Sequence, residues 1–255
     1  MGEKIIKRTV VPLFKKQMSL LKQLTKKVFN LMGVDIIRLP KSPRYSLLGL
    51  RHLPIRSIID VGANTGQFAR EIITVFPQAH IYCFEPLTEP YEELRKWAEK
   101  QDGRVTVFNV ALGDKVGNVE MLKHLDHSPS SSFLKTTDLS HLLYPHTQRQ
   151  SPVLTQMTTL DEWIKTLPNS LTPEILIKLD VQGYEDRVIR GGRETFKITK
   201  ACILEVNLDN LYEGQAEFKE IIELLYALGF KYAGNLDQIY ADDGHVIFID
   251  AVFVK

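Results

Sequence analysis

The sequence contains very little cysteine. Only two of its 255 residues are cysteines, Cys83 and Cys202, and each stands inside an apolar run that is typical of a strand. Their spacing is not paired and no C-x-x-C pattern occurs, so we expect buried, reduced thiols and no disulfide framework, redox site or zinc site. Because reduced cysteines are typical of a reducing compartment, the sequence predicts a cytoplasmic protein.

Long hydrophobic runs are also missing. No stretch approaches the roughly 18 to 20 uncharged apolar residues that are needed to span a bilayer. No basic and then apolar leader with a small-residue cleavage site is visible, so we expect no secretory signal. Hydrophobic residues make up 44% and charged residues 25% of the chain, which is ordinary for a globular protein and excludes wholesale disorder.

The formal net charge of +1 hides an uneven distribution of charge along the chain. Residues 1–56 contain 13 lysines and arginines against two acidic residues, whereas residues 57–255 contain 19 against 29. We therefore expect a basic helical extension with a linker over residues 1–56 and an acidic domain over residues 57–255.

Residues 13–32 predict an amphipathic helix within the basic extension, because apolar side chains recur there at helical spacing with lysines between them. Such a helix either contacts an anionic membrane surface or packs its apolar side against the rest of the protein, and both interpretations stay open. Nucleic acid is not an expected partner, since nothing basic or aromatic continues the patch into the acidic domain. The apolar positions are Leu13, Phe14, Met18, Leu21, Leu24, Val28, Phe29 and Met32.

Short apolar runs alternate with longer amphipathic runs from residue 57 onward. This alternation predicts an α/β fold with a doubly wound, mostly parallel sheet that is covered on both faces. The predicted strands are Ile58–Val61, His80–Phe84, Val105–Val110, Gly117–Lys123, Ile175–Leu179, Ala201–Val206, Gln238–Tyr240 and Val246–Val254. The predicted helices are Gly66–Phe76, Pro90–Lys100, Leu160–Thr166, Glu185–Gly191 and Glu213–Leu228.

Two common phosphate-binding fingerprints are absent, since neither G-x-G-x-x-G nor G-K-[ST] occurs. A different glycine turn, D-V-G-A-N-T-G over Asp60–Gly66, follows the first predicted strand and opens the first predicted helix. Asp60 precedes Gly62 by two residues, and a negative charge there disfavours a pyrophosphate and suits an ammonium or sulfonium group. Glu85 ends the second predicted strand, where a carboxylate can accept both hydroxyls of a ribose. The pattern therefore predicts an adenosine-containing ligand with a positive charge.

Six short motifs follow one another between residues 57 and 206. They are D-V-G-A-N-T-G at Asp60–Gly66, F-E-P at Phe84–Pro86, N-V-A-L-G-D at Asn109–Asp114, T-L-D-E at Thr159–Glu162, I-K-L-D-V-Q-G-Y-E at Ile177–Glu185 and I-L-E-V at Ile203–Val206. The ordered set resembles the FkbM family of S-adenosylmethionine-dependent methyltransferases. This resemblance implies a class I methyltransferase (Rossmann-like) fold and the O-methylation of a hydroxyl group on a small molecule, sugar or glycan.

The resemblance also implies that S-adenosyl-L-methionine is the methyl donor and where it binds. The residues implied around its methionine portion are Asp60, Gly62, Ala63, Asn64 and Gly66. Those implied at the ribose are Glu85 and Pro86, and those implied near the adenine are Asn109 and Ala111. One position departs from the family pattern, because Gln182 stands where the family often has glutamate. The role of that carboxylate is therefore not carried over.

Three carboxylates are candidates for catalysis. Asp180 and Glu205 end two successive predicted strands, and Glu185 follows one short turn after the first of them. One of the three would take the proton of the acceptor, with a pKa raised by burial beside another acid. Alternatively, Asp180, Glu205 and Asn207 would bind a divalent cation that polarises the hydroxyl group, or Glu185 would only cap the helix that begins there. No metal ligand is assigned, and we expect Lys178 to pair with an acid.

Polar residues 124–152 interrupt the alternation of strands and helices, and we expect this insert to form a substrate lid. It holds four histidines, any of which is an alternative proton acceptor, and a serine-rich stretch, Ser128–Ser132, that matches one in the family and would line the pocket. Two other functions stay open, an NAD-linked oxidoreductase and a non-catalytic scaffold or adaptor with the same fold. The four histidines are His124, His127, His141 and His146.

Overall fold

A computed structural model of the protein describes residues 22–34, 37, 39–168 and 171–255. The described residues belong to two compact units, one that reaches to Tyr45 and a larger one that comprises Ser46–Lys255. Among these residues, no helix is both long enough and apolar enough to cross a membrane.

The N-terminal unit contains a helical segment over residues 22–31. Residues 13–21 of the predicted amphipathic helix lie outside the described residues. The segment ends before Gly33, which has a φ of +74° and forms an ordinary glycine end of a helix. The exposed apolar side chains in and directly after the segment are Leu24, Val28, Leu31 and Met32.

Short helical turns lie between residues 39 and 52, within the predicted extension and linker. They are Leu39–Lys41, Pro43–Ser46 and Leu47–His52. Leu50, in the last of these turns, is 1% exposed and belongs together with Ile55 to a hydrophobic core of the larger unit. The larger unit therefore includes residues that precede the expected boundary at residue 57.

The described part of the larger unit contains ten strands in two sheets. They are β1 (Ser57–Val61), β2 (His80–Phe84), β3 (Val105–Phe108), β4 (Ala111–Leu112), β5 (Gly117–His124), β6 (Gln150–Thr158), β7 (Ile175–Leu179), β8 (Thr199–Asn207), β9 (Lys231–Tyr240) and β10 (Val246–Val254). Seven of them form the central sheet, in the order β3-β2-β1-β7-β8-β10-β9. The first five in this order pair in parallel, and β10 runs antiparallel to both β8 and β9. The prediction of a mostly parallel α/β sheet is confirmed.

The other three strands form a small sheet in the order β4-β6-β5. Neither β4 nor β6 is predicted from the sequence. In β6 only Thr155 and Met157 are buried, and one face of the strand is exposed. Polar residues in the strand hide the alternation of apolar and polar positions, so no strand is predicted there. Since β5 and β6 flank residues 125–149, the insert is a long connection between two antiparallel strands.

Helices that follow β1 in the chain cover the central sheet. Gln67–Val75 buries Ala69, Ile72 and Ile73, which share one helix face, and it ends just before the Phe76-Pro77 pair, where a helical conformation is disfavoured. The last helix begins later than predicted, because Glu217 forms a capping box at its start. The helices are Gln67–Val75, Thr88–Ala98, Asp138–Leu143, Leu160–Trp163, Glu185–Gly191, Arg193–Ile198 and Phe218–Ala227, and the single 3-10 turns are Ser128–Ser130, Pro145–Thr147 and Ile164–Thr166.

Hydrophobic cores lie on both faces of the central sheet. Along β1, Ile58 belongs to one core and Ile59 to the other, and Leu176 and Ile177 of β7 alternate in the same way. Because successive side chains of a strand point to opposite faces, the sheet is covered on both sides, as the sequence predicts. Both cysteines are buried free thiols, which is also as predicted.

Candidate active site

The glycine turn after β1 lies at the carboxyl edge of the parallel strands, where ligands bind in open α/β sheets. The backbone N–H groups of Gly62 and Ala63 both donate to the carbonyl oxygen of Phe84 at 3.0 Å. Gly62 has a φ of +78°, and a Cβ at this position would lie 1.9 Å from the backbone oxygen of Asp180. Only glycine therefore allows the ends of β1 and β7 to approach this closely.

Glu85, directly after β2, stabilises the same turn. Its Oε2 accepts a hydrogen bond from the backbone N–H of Asn64 at 2.9 Å, and its Oε1 accepts one from the backbone N–H of Leu87 at 2.8 Å. Burial raises the pKa of Glu85 to about 7, although the two hydrogen bonds act to lower it. Since each carboxylate oxygen has a second lone pair, Glu85 can still accept hydroxyl groups of a ligand in the adjoining cavity.

Asp60, in β1, is paired in register with Lys178 of β7. Asp60 is 1% exposed, and its Oδ2 has no hydrogen-bond partner among the described residues. Burial raises the pKa of Asp60 to about 7, while the positive charge of Lys178 lowers it. A buried carboxylate oxygen without a donor is unfavourable. Because Asp60 lines the cavity, it is suited to a positively charged group of a ligand.

Lys178 is the buried cation of this site. Its Nζ donates to Oδ2 of Asp180 at 2.8 Å. Burial lowers the pKa of Lys178, but the carboxylates of Asp180, Asp250 and Asp60 together raise it above its ordinary value. The ammonium group is therefore charged, and the expectation that Lys178 pairs with an acid is confirmed.

Gln182 joins the two candidate acids at the ends of β7 and β8. Its Nε2 donates to Oδ1 of Asp180 at 2.8 Å and to Oε1 of Glu205 at 2.7 Å. Its Oε1 accepts a hydrogen bond from the hydroxyl of Tyr212 at 2.6 Å. Burial and the negative charge of Asp180 raise the pKa of Glu205 well above its ordinary value. The structure thus brings Asp180 and Glu205 together through one amide group.

Glu185 is buried and contacts its own loop. Its Oε1 accepts hydrogen bonds from the backbone N–H groups of Val181 at 3.0 Å and Gly183 at 3.3 Å. Burial raises its pKa to about 7, and the residue does not line the cavity. This geometry favours the alternative in which Glu185 stabilises the loop and the start of the helix Glu185–Gly191.

One cavity of about 520 Å³ lies at the carboxyl edge of the sheet and is lined by the groups described above, except Glu185. Its lining includes the glycine turn, the acids of β7 and β8, and part of the insert. The insert reaches the turn at Ser128, whose Oγ lies 3.5 Å from Nδ2 of Asn64. The insert residues that line the cavity include His127, Ser128, Ser130, Tyr144 and His146.

The other two histidines of the insert do not line the cavity. His124 is 0% exposed, and its Nε2 accepts a hydrogen bond from Nε2 of Gln150 at 2.8 Å. Its Nδ1 has no partner among the described residues. Nε2 of His141 lies 2.8 Å from Oγ1 of Thr136. Both imidazole rings therefore stabilise the insert itself.

Some of the remaining residues that are expected at the ligand line the cavity, and others do not. Gly66 packs against Leu94, where a Cβ would come within 2.6 Å of Cδ1, and it does not line the cavity. Asn109 also lies outside the lining, and its Nδ2 donates to the carbonyl oxygens of Glu85 and Pro86 at 2.9 and 3.0 Å. Those that do line the cavity are Ala63, Asn64, Pro86, Ala111 and Asn207.

Sequence reasoning missed the polar partners of the two acids. Gln182 is visible only as a departure from a family pattern, and Tyr212, which is 2% exposed, carries no signal of its own. Asp250 does carry one, because it is the charged residue of the otherwise apolar strand β10, and it is paired in register with Glu205. A charge inside a buried strand is a signal that identifies such residues.

Comparison with known proteins gives a consistent result. The sequence matches the family described as methyltransferase FkbM domain over residues 60–232. It is 31% identical over 188 residues to the 2-O-methyltransferase NoeI of Sinorhizobium fredii, across 70% of this chain and 74% of that protein. It is 25% identical over 214 residues to the 31-O-demethyl-FK506 methyltransferase FkbM of Streptomyces tacrolimicus, across 76% of this chain and 79% of that protein. A solved SAM-dependent methyltransferase from Aquifex aeolicus aligns with a TM-score of 0.44 and 12% identity, across 87% of this chain and 94% of that one.

Proposed function

The chain belongs to the FkbM methyltransferase family and is an S-adenosylmethionine-dependent methyltransferase, and we propose that its acceptor is a hydroxyl group of a sugar, a glycan or another natural product. The expected class I methyltransferase fold agrees with the strand order of the central sheet and with the family match. The observation that carries the proposal is one cavity that is lined by the glycine turn, by Asp60, whose Oδ2 has no hydrogen-bond partner among the described residues, and by the acids Asp180 and Glu205. Nothing in the family match supports an oxidoreductase or a scaffold.

The residues of the glycine turn fit S-adenosylmethionine. Asp60 offers a buried carboxylate oxygen without a donor to a positively charged group, and Glu85 has lone pairs for ribose hydroxyls. When bound there, the donor supplies a methyl group on a positively charged sulfur. We assign the methionine portion to Asp60, Gly62, Ala63 and Asn64, the ribose to Glu85 and Pro86, and the adenine to Ala111, with Gly66 and Asn109 supporting these residues.

We assign removal of the acceptor's proton to the pair formed by Asp180 and Glu205. Glu205 lines the cavity, and its Oε1 accepts a hydrogen bond from Nε2 of Gln182. Burial and the negative charge of Asp180 raise the pKa of Glu205, so its carboxylate is a strong base once it is ionised. Asp180 is held on both oxygens, by Lys178 and Gln182. In this assignment Glu205 would take the proton of the acceptor oxygen while that oxygen bonds to the methyl carbon and the methyl–sulfur bond breaks, which would leave S-adenosylhomocysteine as a neutral thioether.

The polar groups of the insert support a carbohydrate acceptor. Ser128, Ser130 and Tyr144 contribute hydroxyl groups to the cavity that also contains the acids. His127 and His146 line it as well, with their ring centroids 4.6 Å apart. Hydroxyl and imidazole groups both donate and accept hydrogen bonds, which suits the hydroxyls of a sugar. We therefore propose that the insert, residues 124–152, is the substrate lid.

Calorimetry with S-adenosylhomocysteine, followed by transfer of a labelled methyl group to a panel of glycosides and lipid-linked glycans, tests the proposal. We expect binding of S-adenosylhomocysteine, no binding of NAD, and label on a hydroxyl group of at least one acceptor. Binding of NAD without S-adenosylhomocysteine would contradict the proposal. Binding of S-adenosylhomocysteine with no label on any acceptor would favour a non-catalytic scaffold.

We also propose that the N-terminal helical segment contacts an anionic membrane surface. Leu24 and Val28 are exposed on a segment that carries Lys26 and Lys27, and such a combination favours an anionic lipid surface. The full-length protein should sediment with vesicles that contain phosphatidylserine and much less with vesicles of phosphatidylcholine alone. Deletion of residues 1–32 should abolish this binding. Sedimentation of the truncated protein with the same vesicles would exclude the segment as the membrane contact.

A further inference from the structure

Gln182 is held in an unusual backbone conformation beside the two acids. Its φ is +56°, and the next residue, Gly183, has a φ of +89°. A left-handed conformation is unfavourable for a residue with a side chain. The hydroxyl of Ser132, in the insert, donates to the backbone carbonyl oxygen of Gln182 at 2.7 Å. The loop and the insert together direct this side chain toward Asp180 and Glu205.

All the hydrogen-bonding groups of the Gln182 amide have partners. The two N–H groups of Nε2 donate one hydrogen bond each to Asp180 and Glu205, and Oε1 accepts from Tyr212. The Tyr212 hydroxyl, which also lies 3.1 Å from the backbone carbonyl oxygen of Ser130, favours the orientation in which the N–H groups of the amide face the acids. If the amide turned over, its oxygen would face two carboxylates and its N–H groups would lose both acceptors.

A donor or a cation between two neighbouring carboxylates stabilises their ionised forms. Without one, like charges favour protonation of one of the two groups. A divalent cation is a common solution, because carboxylate oxygens are the ligands that Mg²⁺ and Mn²⁺ prefer. Here the amide nitrogen occupies that place, 2.8 Å from Oδ1 of Asp180 and 2.7 Å from Oε1 of Glu205. Lys178 supplies a positive charge at the other oxygen of Asp180.

We infer that Gln182 is a positioning residue that takes the place of a bridging divalent cation, so that its amide holds Asp180 and Glu205 for proton transfer without a metal ion. In the part of the chain that the structure describes, no group of three or more His, Cys, Asp or Glu side chains is arranged to hold a metal ion. Gln182→Glu would replace two N–H donors by a third carboxylate and would complete an oxygen-ligand set. The catalytic part of this inference rests on the proposed function, whereas cation binding is measurable without an acceptor.

The test compares the full-length wild-type protein with Gln182→Glu, using MnCl₂ as the probe. Calorimetry should show Mn²⁺ binding to the variant and none to the wild type. In EDTA, kcat of the variant should fall at least about tenfold, the effect of losing a hydrogen bond to a charged group, and MnCl₂ should restore it. The wild-type kcat should be the same in EDTA and in MnCl₂. An unchanged Kd for S-adenosylhomocysteine would show that the variant has kept its fold.

Gln156→Glu is the matched control, because Gln156 is exposed on β6 and does not line the cavity, so its substitution adds the same charge outside the site. It should neither bind Mn²⁺ nor lose activity. Tyr212→Phe removes the hydroxyl that contacts the Gln182 amide and the backbone carbonyl oxygen of Ser130, and it should lower kcat with an unchanged Kd for S-adenosylhomocysteine. Activity of the wild type that EDTA abolishes and Mn²⁺ restores would overturn the inference. Full activity of Gln182→Glu in EDTA, or a loss that Mn²⁺ does not restore, would overturn it too.

If the wild type methylates no acceptor, the proposed function fails, and the kinetic comparison cannot be made. The Mn²⁺ calorimetry still decides about the amide in that case. Absence of Mn²⁺ binding to Gln182→Glu would then overturn the inference on its own, and binding confined to this variant would support it.

Discussion

Two acids at the glycine turn have the same raised pKa of about 7 and yet have different contacts. Both oxygens of Glu85 accept backbone N–H groups, from Asn64 and Leu87. Oδ2 of Asp60 has no partner among the described residues. Glu85 therefore supports the turn as well as a ligand, whereas Oδ2 of Asp60 is not used by any hydrogen bond of the turn.

Substitution of the two acids should separate these roles. Glu85→Ala should weaken binding of S-adenosylhomocysteine by about 1.5–3 kcal/mol, the range for hydrogen bonds to a charged group, and should also lower Tm. Asp60→Asn should weaken binding without lowering Tm, because it removes a buried charge that no protein donor stabilises at Oδ2. Calorimetry and thermal unfolding measure both effects, with Glu120→Ala, at an exposed position of β5, as the control. If Glu85→Ala binds S-adenosylhomocysteine with unchanged affinity, Glu85 does not bind the ribose.

Residues around the donor are easier to predict from sequence than residues around the acceptor. The turn from Asp60 to Gly66 is a local constraint, in which the acid, the glycines and the strand end all lie within seven positions. The network around Gln182 is not local, because its amide contacts Glu205 and Tyr212, which are 23 and 30 residues away in the chain. Partners of this kind depend on how strands and loops pack, so no pattern of spacing predicts them.

Among the elements, the close approach of β1 and β7 depends most on one residue type. Gly62 combines a φ of +78° with a Cβ position only 1.9 Å from the backbone oxygen of Asp180. Gly103 has a similar φ of +73°, but nothing lies within 4 Å of its Cβ position. Substitution of the two glycines therefore distinguishes the cost of a left-handed backbone from the cost of a close contact.

Gly103→Ala should lower the free energy of unfolding by about 1–2 kcal/mol, the cost of a left-handed conformation for a residue with a Cβ. Gly62→Ala should lose a further 1–3 kcal/mol or so, because the new methyl group also overlaps the end of β7. Urea unfolding measures both losses, and only Gly62→Ala should also weaken binding of S-adenosylhomocysteine. Equal losses of unfolding free energy in the two variants would mean that the end of β7 can shift away from the new methyl group at little cost.

Elements with one strong period are predicted well, and elements that depend on tertiary contacts are not. β2, β7 and β10 have the predicted bounds, since each is a compact apolar run. β6 escapes prediction because half of its side chains face away from the core, and its pairing partner β5 lies across the polar insert. The fold class follows from the first kind of element, whereas part of the cavity lining belongs to the insert between β5 and β6.

Acid should loosen the small sheet through His124. Burial lowers the pKa of His124 below its ordinary value, and Nε2 must stay unprotonated to accept from Gln150. A histidine of this kind binds its proton more readily in the unfolded state, so the free energy of unfolding falls as the pH drops below about 6.5. Amide protection factors in β5 and β6 should therefore be lower at about pH 5.5 than at about pH 7.5, and less so in His124→Gln. The same acid effect in that variant would show that another group is responsible.

At the scale of the whole molecule, the charge pattern predicts two parts with a boundary at residue 57 of the chain. The first strand-like run, Ile58–Val61, begins directly after this boundary, and strand periodicity is likewise a local signal. The larger unit begins instead at Ser46, since Leu50 and Ile55 fill a core together with residues of β1, β2 and β7. Burial against strands that come later in the chain is not visible in charge or periodicity.

Two truncations should therefore differ sharply in stability. Removal of residues 1–45 leaves Leu50 and Ile55 in place, and this variant should unfold cooperatively and bind S-adenosylhomocysteine. Removal of residues 1–56 also deletes these two side chains, which are 1% and 3% exposed, and each loss should cost about 2–5 kcal/mol of unfolding free energy. Urea unfolding of the two variants in parallel measures the difference. If both have the same midpoint, residues 46–56 add nothing to the core, and the boundary belongs at residue 57 after all.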